Sequence, residues 1–307
     1  MPVDPTLVAA EMDRAIGVLK SLVGESVDAI RINSLEAADA PFLGKIVSKL
    51  SPMVGNLLEA RIIQVLDEEA EHGFSWRRQD PGFPDAVLVD DRGNLTGSGF
   101  EVKAWFVHST ELTGRFRESV NLLEPRDVRL LVVAWAMSHL VYGTPKILGV
   151  LATRGTETAK ARDRHYWNPP DYLTIEPNDT TARTANLQQS NVNGFKLQEI
   201  DGERLRVAHE MTSEHGADRL APHSPEAQAV AQKLMATFPY RLDTNFAKID
   251  RIESDDIENF KSSVLALTHE GRRVSQWTSL LRDLSLEQGS PREVAAAQAI
   301  SAIYDQL

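Results

Sequence analysis

Two short apolar runs carry charges at fixed intervals, and this pattern constrains the fold more than any other part of the chain. Asp85 stands at the mouth of Ala86-Val87-Leu88-Val89. Sixteen residues later, Glu101 and Lys103 interrupt the run from Phe100 to Val107. Side chains alternate across a strand, so Glu101 and Lys103 share one face while Phe100, Val102 and Ala104 take the other. Between the runs, Asp90-Asp91-Arg92-Gly93-Asn94 is turn chemistry placed where a hairpin needs it. Charges inside so apolar a strand are costly unless they have a partner or a function. The segment therefore predicts a strand, a turn and a returning strand, with Asp85, Glu101 and Lys103 gathered on one sheet face.

Two carboxylates beside an ammonium can hold a divalent cation next to an activated water. Carboxylates about 4 Å apart repel by roughly 4 kcal/mol at an effective dielectric of about 20, so such a site holds a proton or gains from a cation. Each half of the pattern also has a plainer reading. Glu-x-Lys suits a salt-bridged exposed strand, and Pro84-Asp85 suits a turn. The apolar, β-rich setting of both halves favours a site.

The spacing Pro84-Asp85 to Glu101-x-Lys103 resembles the PD-(D/E)xK nuclease superfamily, with Type II restriction endonucleases the closest likeness. The compatible element order runs from roughly Gly55 to Thr153. The resemblance implies an α/β fold, a restriction-endonuclease-like mixed β-sheet flanked by helices, with a helical C-terminal region. It implies Mg²⁺ as cofactor, held by Asp85, Glu101 and the backbone carbonyl of Val102. Lys103 would orient or help deprotonate the attacking water and neutralise the phosphate. In relatives a helix before the motif contributes a glutamate, a part that falls to Glu59; solvated charge is its plainer role. The implied substrate is double-stranded DNA. A homodimer follows because two-fold symmetric duplex sites are cut most simply by two copies of one site. Host defence is the implied role. A structure-specific repair or recombination nuclease, a non-catalytic DNA-binding protein on the same fold, and a small-molecule enzyme remain as alternatives.

A length of 307 residues suits one large domain or two smaller ones. Motif and composition together suggest an N-terminal helical segment (1–50), a catalytic core with DNA-contacting loops (51–200) and a helical subdomain for recognition or dimerisation (201–307). The absence of cysteine excludes disulfides, Fe–S clusters and cysteine-ligated zinc. No apolar stretch has the length of a membrane helix, and the first residues lack the basic and apolar regions of a signal peptide, so a cytoplasmic location is expected.

The net charge of −11 argues against a generic DNA binder, whose footprint is basic. The distribution matters more than the sum, because cations cluster around the motif: Arg77, Arg78, Arg115, Arg117, Arg126 and Arg129. Arg115 and Arg117, on a short helix expected from about Thr113 to Leu123, are candidates for phosphate contacts. Arg164 lies in Arg162–Asn168, where cations adjoin stacking aromatics. Arg183, Gln188, Gln189 and Asn191 offer side chains that pair bidentately with guanine and adenine edges. The bland alternative for both segments is a polar surface loop. His108, close after the motif strand, is a possible base but more simply a structural histidine.

Helical periodicity predicts helices at 5–23 and from Pro52 to near Gly73, and strands at Val128–Met137 and Lys146–Thr153. Residues 155–197 show no clear period. Further helices are expected at Ala227–Ala236, Ser254–Leu267, Arg272–Leu284 and Pro291–Leu307.

Overall fold

The computed structural model describes residues 4–33, 39–109, 111–165, 172–175, 194–197, 203, 206–208, 210, 225–242, 247–284 and 286–304. The predicted hairpin is present, as β2 (Ala86–Val89) and β3 (Leu95–Phe106). Asp90 builds the turn between them by accepting from the backbone N–H of Arg92 at 3.0 Å and of Asn94 at 2.7 Å. Gly93 takes the left-handed φ of 82° that the turn requires.

The hairpin belongs to a mixed five-stranded sheet in the order β1-β2-β3-β4-β5. Its other strands are β1 (Ser75–Arg78), β4 (Val128–His139) and β5 (Tyr142–Arg154). β4 is buried over nearly its whole length, as its unbroken apolar run predicts. β1 escapes the apolar pattern because only one side chain needs to be buried at an edge. Trp76 supplies it, stacking on Phe100 at a centroid distance of 5.3 Å.

Helices α1 (Pro5–Ser21) and α2 (Ala40–Glu68) cover one sheet face. α2 begins twelve residues before the predicted start at Pro52. An internal proline costs a helix about 3 kcal/mol. Here the apolar stripe runs through it, with Leu43 and Val47 before and Val54, Leu58 and Ile62 after, all buried. Tertiary burial along one continuous face outweighs the lost hydrogen bond.

The chain divides into two compact units, both assembled from separated stretches. The first comprises residues 1–114, 129–152 and 255–307; the second comprises 115–128 and 153–254. In the first unit, α6 (Asp255–Ala266) meets the sheet where Gly149 leaves space: a Cβ there would lie 3.0 Å from Val264 and 3.1 Å from Phe260. α7 (Val274–Asp283) and α8 (Pro291–Tyr304) complete that unit.

The second unit contains α3 (Val120–Leu123), α4 (Gly155–His165), α5 (Pro225–Thr237) and a sheet in the order β6-β7-β8. These strands are Tyr172–Ile175, Gly194–Leu197 and Tyr240–Leu242. α4 has no apolar stripe to read. Its buried side is Gly155, Thr158, Ala159 and Arg162. No helix among the described residues is long and apolar enough to cross a membrane.

A buried carboxylate on α1 ties that helix to the sheet through a tryptophan of β1. Glu11 is buried and accepts from Trp76 Nε1 at 3.1 Å, from Arg14 Nε at 2.9 Å and from Arg14 Nη2 at 2.7 Å. Glu11→Ala leaves a buried indole N–H and a largely covered guanidinium without their acceptor, and should cost about 3 kcal/mol. Urea unfolding of the two proteins measures this; a loss below about 0.5 kcal/mol would show that water replaces the carboxylate freely.

Candidate functional site

The position of Asp85 is set by backbone before any side chain acts. Gln79 N donates to Asp85 O at 2.9 Å, and Gln79 Nε2 donates to Phe83 O at 3.3 Å, closing the loop between β1 and β2. β2 then pairs antiparallel with β3, Ala86 opposite Phe100 and Val87 opposite Gly99. Gly99 permits the close approach, since a Cβ there would lie 2.2 Å from Ala86 O and 2.8 Å from Pro84 Cγ. Any side chain at 99 would push β3 away from the Asp85 loop. The signal was available in the sequence, where an isolated glycine in a strand marks a close backbone approach.

Across this junction Asp85 Oδ2 accepts from Val102 N at 2.8 Å and from Lys103 Nζ at 3.3 Å. Lys103 Nζ also donates to Glu101 Oε1 at 2.6 Å and to Val102 O at 2.9 Å. Three oxygens from the two strands thus converge on one ammonium. Gly114 lies against the lysine stem: a Cβ there would meet Lys103 Cβ and Cδ at 3.2 Å. Burial pushes the Lys103 ammonium toward neutrality, but Glu101 and then Asp85 more than offset it, so the group titrates above the ordinary lysine range. The cluster stays open to solvent, with side-chain exposures of 22% for Asp85, 14% for Glu101 and 19% for Lys103.

The donor set suits a hard cation. Two carboxylates and a carbonyl are the ligands that Mg²⁺ and Ca²⁺ take, and these three oxygens already surround a positive charge. A divalent ion among them would require Lys103 Nζ to withdraw. Among the described residues no group of three or more His, Cys, Asp or Glu side chains is arranged to hold a metal. Water or a substrate phosphate would have to complete the shell.

Asp85, Glu101, Lys103 and the Val102 carbonyl therefore come together. Glu59 is engaged elsewhere: on α2 it accepts from Arg78 Nε at 2.6 Å. Arg115 and Arg117 are not helical. They lie in an extended segment where Arg115 bridges Lys248, Leu242 N donates to Arg117 O at 2.9 Å, and Phe116 between them is buried. The helix expected there is confined to Val120–Leu123, capped by Ser119. Arg164 is exposed near the end of α4. Arg183, Gln188, Gln189 and Asn191 lie outside the described residues. Arg162, beside Arg164, is buried; it donates to Phe116 O at 2.8 Å and pairs with Asp163 at 2.7 Å.

No family model, no curated protein and no solved structure matches the chain.

His108 makes a contact within the fold. It lies half-buried just past the end of β3, with Nδ1 3.3 Å from Thr278 Oγ1. Burial, and secondarily His269, pushes its pKa down from 6.5 to about 3. Below pH 6.5 the unfolded chain takes up a proton that the folded chain refuses, so stability falls as pH drops from there toward 3. His108→Gln should flatten this dependence by about 1.4 kcal/mol per pH unit. Urea unfolding at several pH values between those limits tests it; an unchanged slope in the variant would mean that His108 charges in the folded protein.

Proposed function

We propose that the protein is a Mg²⁺-dependent endonuclease that hydrolyses the phosphodiester bonds of double-stranded DNA. In this proposal it is a sequence-specific restriction enzyme on a restriction-endonuclease-like core, acting as a homodimer in host defence. One observation carries the proposal: Asp85 Oδ2, Glu101 Oε1 and Val102 O converge on the Lys103 ammonium from two adjoining strands. Hydrolysis of a phosphodiester needs charge stabilisation and a positioned water, and a bound Mg²⁺ supplies the first and lowers the pKa of the second. Asp85, Glu101 and the Val102 carbonyl would hold it.

Lys103 remains on the same strand when it leaves the three oxygens. Its ammonium would then orient the attacking water and stabilise charge on the phosphate. The Asp85 carboxylate, fixed by Val102 N, would need no reorganisation as substrate arrives. Arg115, Arg117 and Arg164 are the proposed phosphate and base contacts of the second unit, with Arg183, Gln188, Gln189 and Asn191 completing the set.

Incubation of the full chain with phage DNA and Mg²⁺ should give discrete fragments on a gel, and none with EDTA. Asp85→Ala and Glu101→Ala should reduce cutting to background while duplex binding persists. Full cutting by either variant would remove these residues from the chemistry. Metal binding has its own readout. Lys103→Met takes the resident cation from the three oxygens, so Mg²⁺ should raise the melting temperature of this variant more than that of the parent. Stabilisation by about 2.7 kcal/mol is expected at a hundredfold excess over Kd. A Mg²⁺ response no greater than the parent's would argue against a cation pocket at this point.

A further inference from the structure

Arg78 ends the edge strand β1, and its Cα lies opposite Ala86, the residue after Asp85. The loop between them is pinched shut by the bond from Gln79 N to Asp85 O. Arg78 and Asp85 therefore stand on either side of one narrow neck. The Asp85 charge reaches Arg78 and is one of the acids that raise the guanidinium's pKa, after Glu59 and Asp80.

The guanidinium is held in place from α2. Its Nε donates to Glu59 Oε1 at 2.6 Å, and its Nη2 lies 3.2 Å from Asp80 Oδ2. The two partners differ in exposure: the Glu59 side chain is 13% exposed and that of Arg78 is 44%. A guanidinium has five N–H donors in a fixed plane, so these two contacts orient it and leave donors for another anion. An exposed ion pair of this kind contributes little to stability. An arginine fixed in one orientation beside a phosphate-cleaving site has a larger use, because its rotamer entropy is already lost before the ligand arrives.

We infer that Arg78 binds a phosphate of the DNA backbone beside the scissile one, and that Glu59 is its positioning residue and not a ligand of the metal. The inference rests on the nuclease proposal for Asp85, Glu101 and Lys103. It explains why the helix glutamate faces an arginine. It also supplies local positive charge on the approach to the site of a protein whose net charge is −11.

The test uses the full chain and a fragment of phage DNA. Binding is followed by fluorescence anisotropy in Ca²⁺ from about 50 to about 200 mM salt, and cutting in Mg²⁺. For the parent, cutting tests the nuclease proposal itself. A parent that neither binds nor cuts the DNA removes both proposals together. Given a parent that cuts, Arg78→Ala should lower the slope of log affinity against log salt by about 1 and raise KM about tenfold. Arg78→Lys should recover the slope but not the whole affinity, since an ammonium cannot reproduce the planar fork. Glu59→Gln should raise KM several-fold while the Mg²⁺ concentration giving half the thermal stabilisation stays unchanged. An unaltered salt slope in Arg78→Ala overturns the inference and leaves the nuclease proposal standing. A rightward shift of the Mg²⁺ midpoint in Glu59→Gln also overturns it, since that shift belongs to a metal ligand.

Discussion

Lys103 Nζ takes oxygens from both strands of the central hairpin, and the arrangement around Asp85 depends on where that ammonium sits. Its position is fixed by main chain. Asp85 Oδ2 is held by the Val102 N–H, Val102 O is held by Nζ, and the two strands come this close only because residue 99 has no Cβ. A one-residue slip of β3 would turn Glu101 and Lys103 into the α1–α2 core and bring Phe100 and Val102 out. Trp76, stacked on Phe100, and the buried Val102 oppose that slip through their share of the core. The geometry of the charged cluster is in this sense written by the apolar residues that alternate with it.

The same logic explains which parts were legible in the sequence. The hairpin, β4, β5, α1 and the C-terminal helices follow from period and turn chemistry, because burial there repeats at strand or helix spacing. Among the elements that broke the rule, α2, β1 and α4 show why. α2 runs through Pro52 because its stripe is continuous across the proline. β1 is polar at three of four positions, and its one buried side chain finds its partner 24 residues further on, at Phe100. α4 hides its inner face behind Arg162, a residue type that a hydrophobicity pattern assigns to solvent. In the site, Asp85, Glu101 and Lys103 were legible because strand alternation is local. The pairing of Glu59 with Arg78 was not, since it joins α2 to an edge strand that no periodicity announces.

Arg115 and Arg117 show a further limit. Their neighbourhood suggested a helix stopped before Pro125, but Phe116 pairs its backbone with Ala247, and Arg117 with Leu242. Backbone bonding to residues more than a hundred positions away outweighed local helical preference. Alternation in this extended segment sets the two arginines on one side and buries Phe116 on the other.

Three clusters of covered charge distinguish structural from chemical use of ionisable groups. Glu11 has no exposed side-chain surface, and its oxygens are taken by Trp76 and Arg14. Arg162 is equally enclosed, bound to Phe116 O and Asp163, whose other oxygen accepts from the Tyr240 hydroxyl at 2.8 Å. Burial, and then Asp163, holds that hydroxyl protonated well beyond the ordinary tyrosine range. In each of these clusters one charged side chain is fully enclosed and is held by groups within its own fold. The cluster of Asp85, Glu101 and Lys103 has no fully enclosed member. All three side chains keep some solvent exposure, and both carboxylates reach the Lys103 ammonium. Replacing covered ion pairs with apolar side chains of similar volume is often neutral or stabilising, so stability alone gives little reason for three charges on one end of an apolar hairpin. A cluster in which two carboxylate oxygens and a carbonyl converge on one position is suited to receive a hard cation, and this is the physical basis on which the nuclease proposal stands.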